Sequence, residues 1–107
     1  MEKTLARLKA IISQEVIRAG YEVRRVILFG SRAGGEVRPT SDWDLYVIIA
    51  PTLSVKTRWE IADQISERLA EEGIWADVFV QSEEIAVQRA DNTGYLTYYV
   101  LKEGVEL

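Results

Sequence analysis

The chain has 107 residues, 48% of them hydrophobic and 28% charged, the balance of one globular domain rather than of a disordered segment. Its 13 basic residues against 17 acidic ones leave a formal charge of -4, without the basic excess that binding to nucleic acid or anionic membrane draws on. There is no Cys and no His, which excludes disulfides, thiolate nucleophiles, Cys- or His-based metal sites and the Ser-His-Asp triad.

Chemistry must therefore run on carboxylates, hydroxyls, basic side chains and backbone amides. The N-terminal stretch scatters its charges and lacks a signal-peptide apolar region. The longest apolar run, Leu45 to Ala50, is far short of the ~20 residues of a membrane helix. The cytoplasm is the expected compartment.

In chain order, Leu5, Leu8, Ile12, Val16 and Ala19 recur at helical spacing before Gly20, predicting a helix over 3–19. Residues 23–29 are β-branched and apolar towards their end and stop at Gly30, predicting a buried strand. Residues 31–41, with two glycines and a proline, predict a loop. A second strand follows over 42–50, closed by Pro51. Trp59, Ala62, Ile65 and Leu69 space an amphipathic helix over 54–72, with Gly73 just beyond it. A third strand is expected over 74–81. Ser82 followed by Glu83 and Glu84 reads as the N-cap of a helix running to about 90. A last short helix spans 95–102. Strands threaded among helices describe a small α/β (α+β) domain: a mixed sheet of three or four strands covered by helices, undivided over 1–107.

Three features carry chemistry. Asp42 and Asp44 stand two residues apart at the entry to an apolar strand. Alternation puts both on one face, with Trp43 and Leu45 on the other. Their mutual repulsion raises the proton affinity of the pair unless a cation intervenes, and a hard cation such as Mg²⁺ suits oxygen ligands. Solvated charges at a loop–strand junction are the simpler reading of Asp-x-Asp alone. The strand ending at Phe29 also runs straight into Gly30, Ser31 and Arg32. Glycine permits close backbone approach to a ligand, amides at a starting helical turn bind anions, and Ser31 and Arg32 add a hydroxyl and a cation. No Walker pattern is present. The third feature is Asp77, one acid in the apolar stretch from Trp75 to Val80. It is costly there unless paired, metal-bound or on an exposed strand face.

Together these are an anion cradle and three carboxylates, a set that suits a nucleotide triphosphate bridged by Mg²⁺. Leu28-Phe29-Gly30-Ser31, ten intervening residues and Asp42-Trp43-Asp44-Leu45 resemble the minimal nucleotidyltransferase motif of the DNA polymerase β superfamily. Asp77 matches the later acid of that motif, and Leu101 to Val105 is similar to how such domains end.

The resemblance covers nearly the whole chain. It implies a polymerase β-like fold and an enzyme using ATP and two Mg²⁺ ions. Gly30, Ser31 and Arg32 would hold phosphate, and Asp42, Asp44 and Asp77 would be the catalytic metal ligands. It further implies an antitoxin that transfers AMP to a tyrosine of a HEPN-domain toxin. A non-catalytic antitoxin that docks on its partner, or transfer to a small molecule, are the alternatives.

Trp43 is bulkier than the aliphatic residue expected between the acids. Small size implies an open nucleotide pocket, or one completed by a partner or a second copy. Arg38, Lys56 and Arg58 are further candidates to reach phosphate. Tyr95, Tyr98 and Tyr99 near the C-terminus are read either as core, for at least one, or as a partner-binding face.

Overall fold

The hydrophobic spacing resolves into four helices and four strands in the computed structural model, which describes residues 2–30 and 42–107. In order these are α1 (Glu2–Arg18), β1 (Glu22–Phe29), β2 (Trp43–Ala50), α2 (Val55–Glu71), β3 (Ala76–Ser82), α3 (Glu83–Arg89), α4 (Leu96–Glu103) and β4 (Val105–Glu106). The expected loop over 31–41 lies outside the described residues.

The strands form one mixed sheet in the order β3-β2-β1-β4. β1 and β2 are antiparallel, β2 and β3 are parallel, and β4 lies antiparallel to β1 at the edge. A parallel pair needs a crossover, and α2 supplies it. β4 has only two residues, too few to register as a strand from alternation.

Two cores sit on the two faces of this sheet. On one, Leu8, Ile11, Ile12 and Val16 of α1 and Ile61, Ala62, Ile65 and Leu69 of α2 pack on Val26, Leu28, Leu45, Val47, Val78 and Val80. Trp43 belongs to this core, so its bulk between the two acids is spent on packing. On the other face, Ala86 of α3 and Val100 of α4 pack on Ile27, Tyr46 and Ile48, a much smaller cluster. The sheet is thus sandwiched thickly on one side and thinly on the other.

Side chains set the helix ends. The Ser54 hydroxyl accepts from the Thr57 N–H at 3.1 Å and caps α2. Ser82 does the same for α3, accepting from the Ile85 N–H with Glu83 and Glu84 in the first turn, as expected. α1 and α2 are joined by Arg68, which donates to Gln14 at 2.8 Å and to Glu15 at 3.0 Å. Glu15 is only 3% exposed, so this pairing is what allows its charge inside.

One expectation fails in α2. Trp59 does not join the core; it is 60% exposed, and Ile61 takes the inward position one turn before Ile65. The inward stripe is Ile61-Ala62-Ile65-Leu69, leaving Trp59 towards the free edge of β3. The third strand also starts later than expected, at Ala76, with Ile74 buried beneath the preceding turn. Among the described residues no helix is long and apolar enough to cross a membrane.

Candidate active site

The register of the three central strands brings the acids together. Phe29 of β1 pairs with Asp44 of β2, and Asp44 pairs with Asp77 of β3. Register partners point to the same face, so Phe29, Asp44 and Asp77 form a row across the sheet, with neighbouring strands ~4.8 Å apart. The row lies on the thinly covered face: Val78 and Val80 enter the large core, while Asp77 and Phe79 are exposed on the opposite side. Asp77 therefore needs no partner to offset burial: of the readings its apolar neighbours allow, the exposed strand face is the one observed. Its place opposite Asp44 is what singles it out.

Asp44 is half-buried and feels this setting. Its carboxyl is held above the ordinary carboxylate range, first by burial and then by the negative charges of Asp77 and Asp42. Asp42 is itself exposed at the entry to β2, close enough for its charge to reach Asp44.

Gly30 ends β1 against the same carboxylate. Its φ of +74° lies in the left-handed region, and a Cβ placed there would collide with Asp44 Oδ2 and stand 3.0 Å from Asp44 Cγ. The backbone of the expected anion cradle thus touches an acid of the expected metal site. Ser31 and Arg32, the rest of that cradle, and Arg38 lie outside the described residues.

The donor set is all oxygen, crowded with like charge and partly desolvated, which fits a hard divalent cation such as Mg²⁺. Among the described residues no three acidic side chains are already gathered into a metal cage; Asp44 and Asp77 are register partners, and the charge of Asp42 also reaches Asp44.

Beyond the acids the same face is aromatic. Phe29 and Phe79 meet with ring centroids 5.8 Å apart, and Tyr46 shares a hydrogen bond with Thr97 of α4. Alongside runs a cleft of about 250 Å³, lined by Arg58 and Trp59 of α2, Phe79 and Gln81 of β3, and Tyr95 and Leu96 before and in α4. The sequence marks Arg58 and Tyr95 as candidate contacts and Trp59 only as a position on the helix face; the cleft itself joins three elements and leaves no local pattern. Lys56 instead pairs with Glu60 along α2 at 3.9 Å.

The three C-terminal tyrosines stay out of the core. Tyr95 and Tyr99 are exposed and Tyr98 half-exposed, while Thr97 and Val100 take the inward positions. Tyr98 and Tyr99 meet edge to face at 5.0 Å, and the Arg89 guanidinium lies over Tyr95 at 4.2 Å.

The family description Polymerase beta, Nucleotidyltransferase matches residues 8–107. The chain belongs to this family. Among solved structures, the fold is similar to that of a Shewanella oneidensis complex of tri-AMPylated HEPN toxin with MNT antitoxin, at 21% identity and a TM-score of 0.55 over 96% of this chain and 70% of that one. It is also similar to a toxin–antitoxin crystal structure with AMP-PNP, at 23% identity and a TM-score of 0.51 over 88% and 70% of the two chains. A MntA-HepT toxin–antitoxin structure aligns at 18% identity and a TM-score of 0.55 over 99% and 70%. Identities this low speak for the fold. No curated protein matches the chain. Nucleotidyltransferase membership agrees with the Gly30-Ser31 and Asp42-x-Asp44 pattern and with the four-strand mixed sheet.

Proposed function

We propose that the chain is a single minimal nucleotidyltransferase domain over 1–107 that transfers AMP from ATP to a tyrosine hydroxyl of a HEPN-type toxin. It acts as that toxin's antitoxin in the cytoplasm. The observation that carries the reading is the row of Asp44 and Asp77 with Gly30 pressed against Asp44. Support comes from the family match and from solved relatives that include a tri-AMPylated toxin with its antitoxin and a complex with AMP-PNP.

In this reading Gly30, Ser31 and Arg32 would bind the β- and γ-phosphates, and Asp42, Asp44 and Asp77 would hold two Mg²⁺ ions. Bound Mg²⁺ offsets phosphate charge and lowers the pKa of the incoming hydroxyl. Asp44 and Asp77, adjacent on a rigid sheet, would fix where the cation is held, and with it the place of the phosphate relative to the acceptor. The acceptor oxygen bonds to the α-phosphorus, the α–β phosphoanhydride bond breaks, pyrophosphate leaves, and the hydroxyl proton is lost to water. No His or Cys is required.

The test is transfer of label from α-³²P-ATP with Mg²⁺ into proteins of the native cell lysate, beside the Asp44→Asn variant. One labelled protein, absent with the variant, is the expected result. No labelled protein, with Mg·ATP binding intact, overturns transfer to a protein in favour of neutralisation by docking or of a small-molecule acceptor.

A further inference from the structure

β3 is an edge strand, and its outer side forms the wall of the aromatic cleft. The Trp75 carbonyl accepts from the Trp43 N–H at 2.9 Å. Counting by twos from there, Asp77, Phe79 and Gln81 turn their backbone groups to β2, while Ala76, Val78 and Val80 turn theirs outward. Arg58 Nη1 at 3.5 Å from the Val80 carbonyl oxygen agrees with this alternation. The strand carries no Lys or Pro that would blunt its edge.

Charge marks the cleft too. Arg58 and Arg89 both act on the Tyr46 hydroxyl from within the cleft lining. Among the described residues neither pairs with a carboxylate; Arg58 reaches a backbone oxygen and Arg89 lies over the Tyr95 ring. Two unneutralised cations in a chain of charge -4 call for an anionic partner. Trp59, Phe79, Tyr95 and Leu96 are exposed around them and offer pockets for apolar side chains.

The geometry points to an acceptor-docking groove: an extended, acidic segment of a partner protein adds as a strand to the outer edge of β3. Its carboxylates meet Arg58 and Arg89, and its hydroxyl-bearing residue lies beside Asp77. Backbone pairing to Val78 and to the Val80 N–H supplies affinity, the Val80 carbonyl being engaged by Arg58, and the cleft supplies side-chain selection. Asp77 is two residues from Phe79, ~6.6 Å along the strand, so a segment in the groove reaches the acids without bending. A second copy pairing through the same β3 edge fits less well, because it brings the same two arginines to the groove. The placement of the acceptor rests on the transfer reading above; the groove itself does not.

The test uses the whole chain, ¹⁵N-labelled, without ATP, and a short synthetic peptide with glutamates flanking one tyrosine. Expected are saturable shifts and exchange protection at the Val78 and Val80 amides. Binding should weaken about tenfold in Arg58→Glu and in Arg89→Glu, and be retained in Arg89→Lys. No binding, or binding that both charge reversals leave unchanged in folded protein, overturns the proposal. So does protection of Val78 and Val80 by Mg·ATP alone, which gives the groove to nucleotide. Protection that rises with protein concentration alongside a dimer mass gives it to a second copy and likewise overturns it. Failure of the transfer reading shows separately, as a lysate without labelled protein while the peptide still binds here.

Discussion

Gly30 and Asp44 are fourteen positions apart in sequence, yet a single methyl group at Gly30 would stand 3.0 Å from the Asp44 carboxyl carbon. The first strand ends where the second presents its acid, so backbone of the proposed anion cradle and the carboxylate proposed to bind metal share one spot. Gly30→Ala should cost about 1–3 kcal/mol, from the positive φ and the displaced carboxylate. A loss of nucleotide binding should accompany it. Thermal denaturation and Mg·ATP titration check both parts.

Asp44→Asn removes the charge that Asp77 and Asp42 oppose. The raised native pKa means that Asp44 contributes stability in acid, and that this is lost as pH rises from the unfolded value of about 3.9 through the higher native one. Without metal, the variant should therefore melt at or above the wild type at neutral pH. The difference should shrink as pH falls below that window. Melting curves of both proteins against pH decide it.

Mg·ATP should stabilise the wild type by mass action. At a free concentration ten times Kd the gain is about 1.4 kcal/mol, a rise in Tm of several degrees for a domain of this size. The gain should vanish in Asp44→Asn and fall as pH drops through the native pKa of Asp44. Thermal shift with and without a chelator measures it.

Among the described residues, Arg68→Ala leaves the Glu15 carboxylate, 3% exposed, with only the exposed Arg18 at 3.5 Å. Because Arg68 itself is partly exposed, the expected cost is about 2–4 kcal/mol, below that of a fully buried pair. Replacing both Arg68 and Glu15 by apolar residues should recover much of it. Denaturant unfolding of the single and double variants supplies the comparison.

Much of this protein was legible in one dimension. Helices and strands announce themselves through local periodicity, and the Ser82 cap with its two glutamates is a local signal that the structure repeats. Composition alone confined the chemistry to oxygen ligands, backbone amides and fixed cations, and the Gly30-Ser31 and Asp42-x-Asp44 spacing identified the family. Alternation correctly sent Trp43 to the core and left Asp44 on the opposite face.

The tertiary structure decided the rest. Strand register put Asp77 opposite Asp44 rather than one residue away, which would have turned it to the other face. Packing along α2 chose Ile61 over Trp59, because a helix crossing a sheet can bury only the stripe that lies over it. The tyrosines near the C-terminus stayed outside because Thr97 and Val100 took the inward positions of α4. Pairing between strands, and the cleft at the free edge of β3, join residues far apart in the chain; periodicity is a property of neighbours, and which faces meet is settled only when the whole sheet is packed.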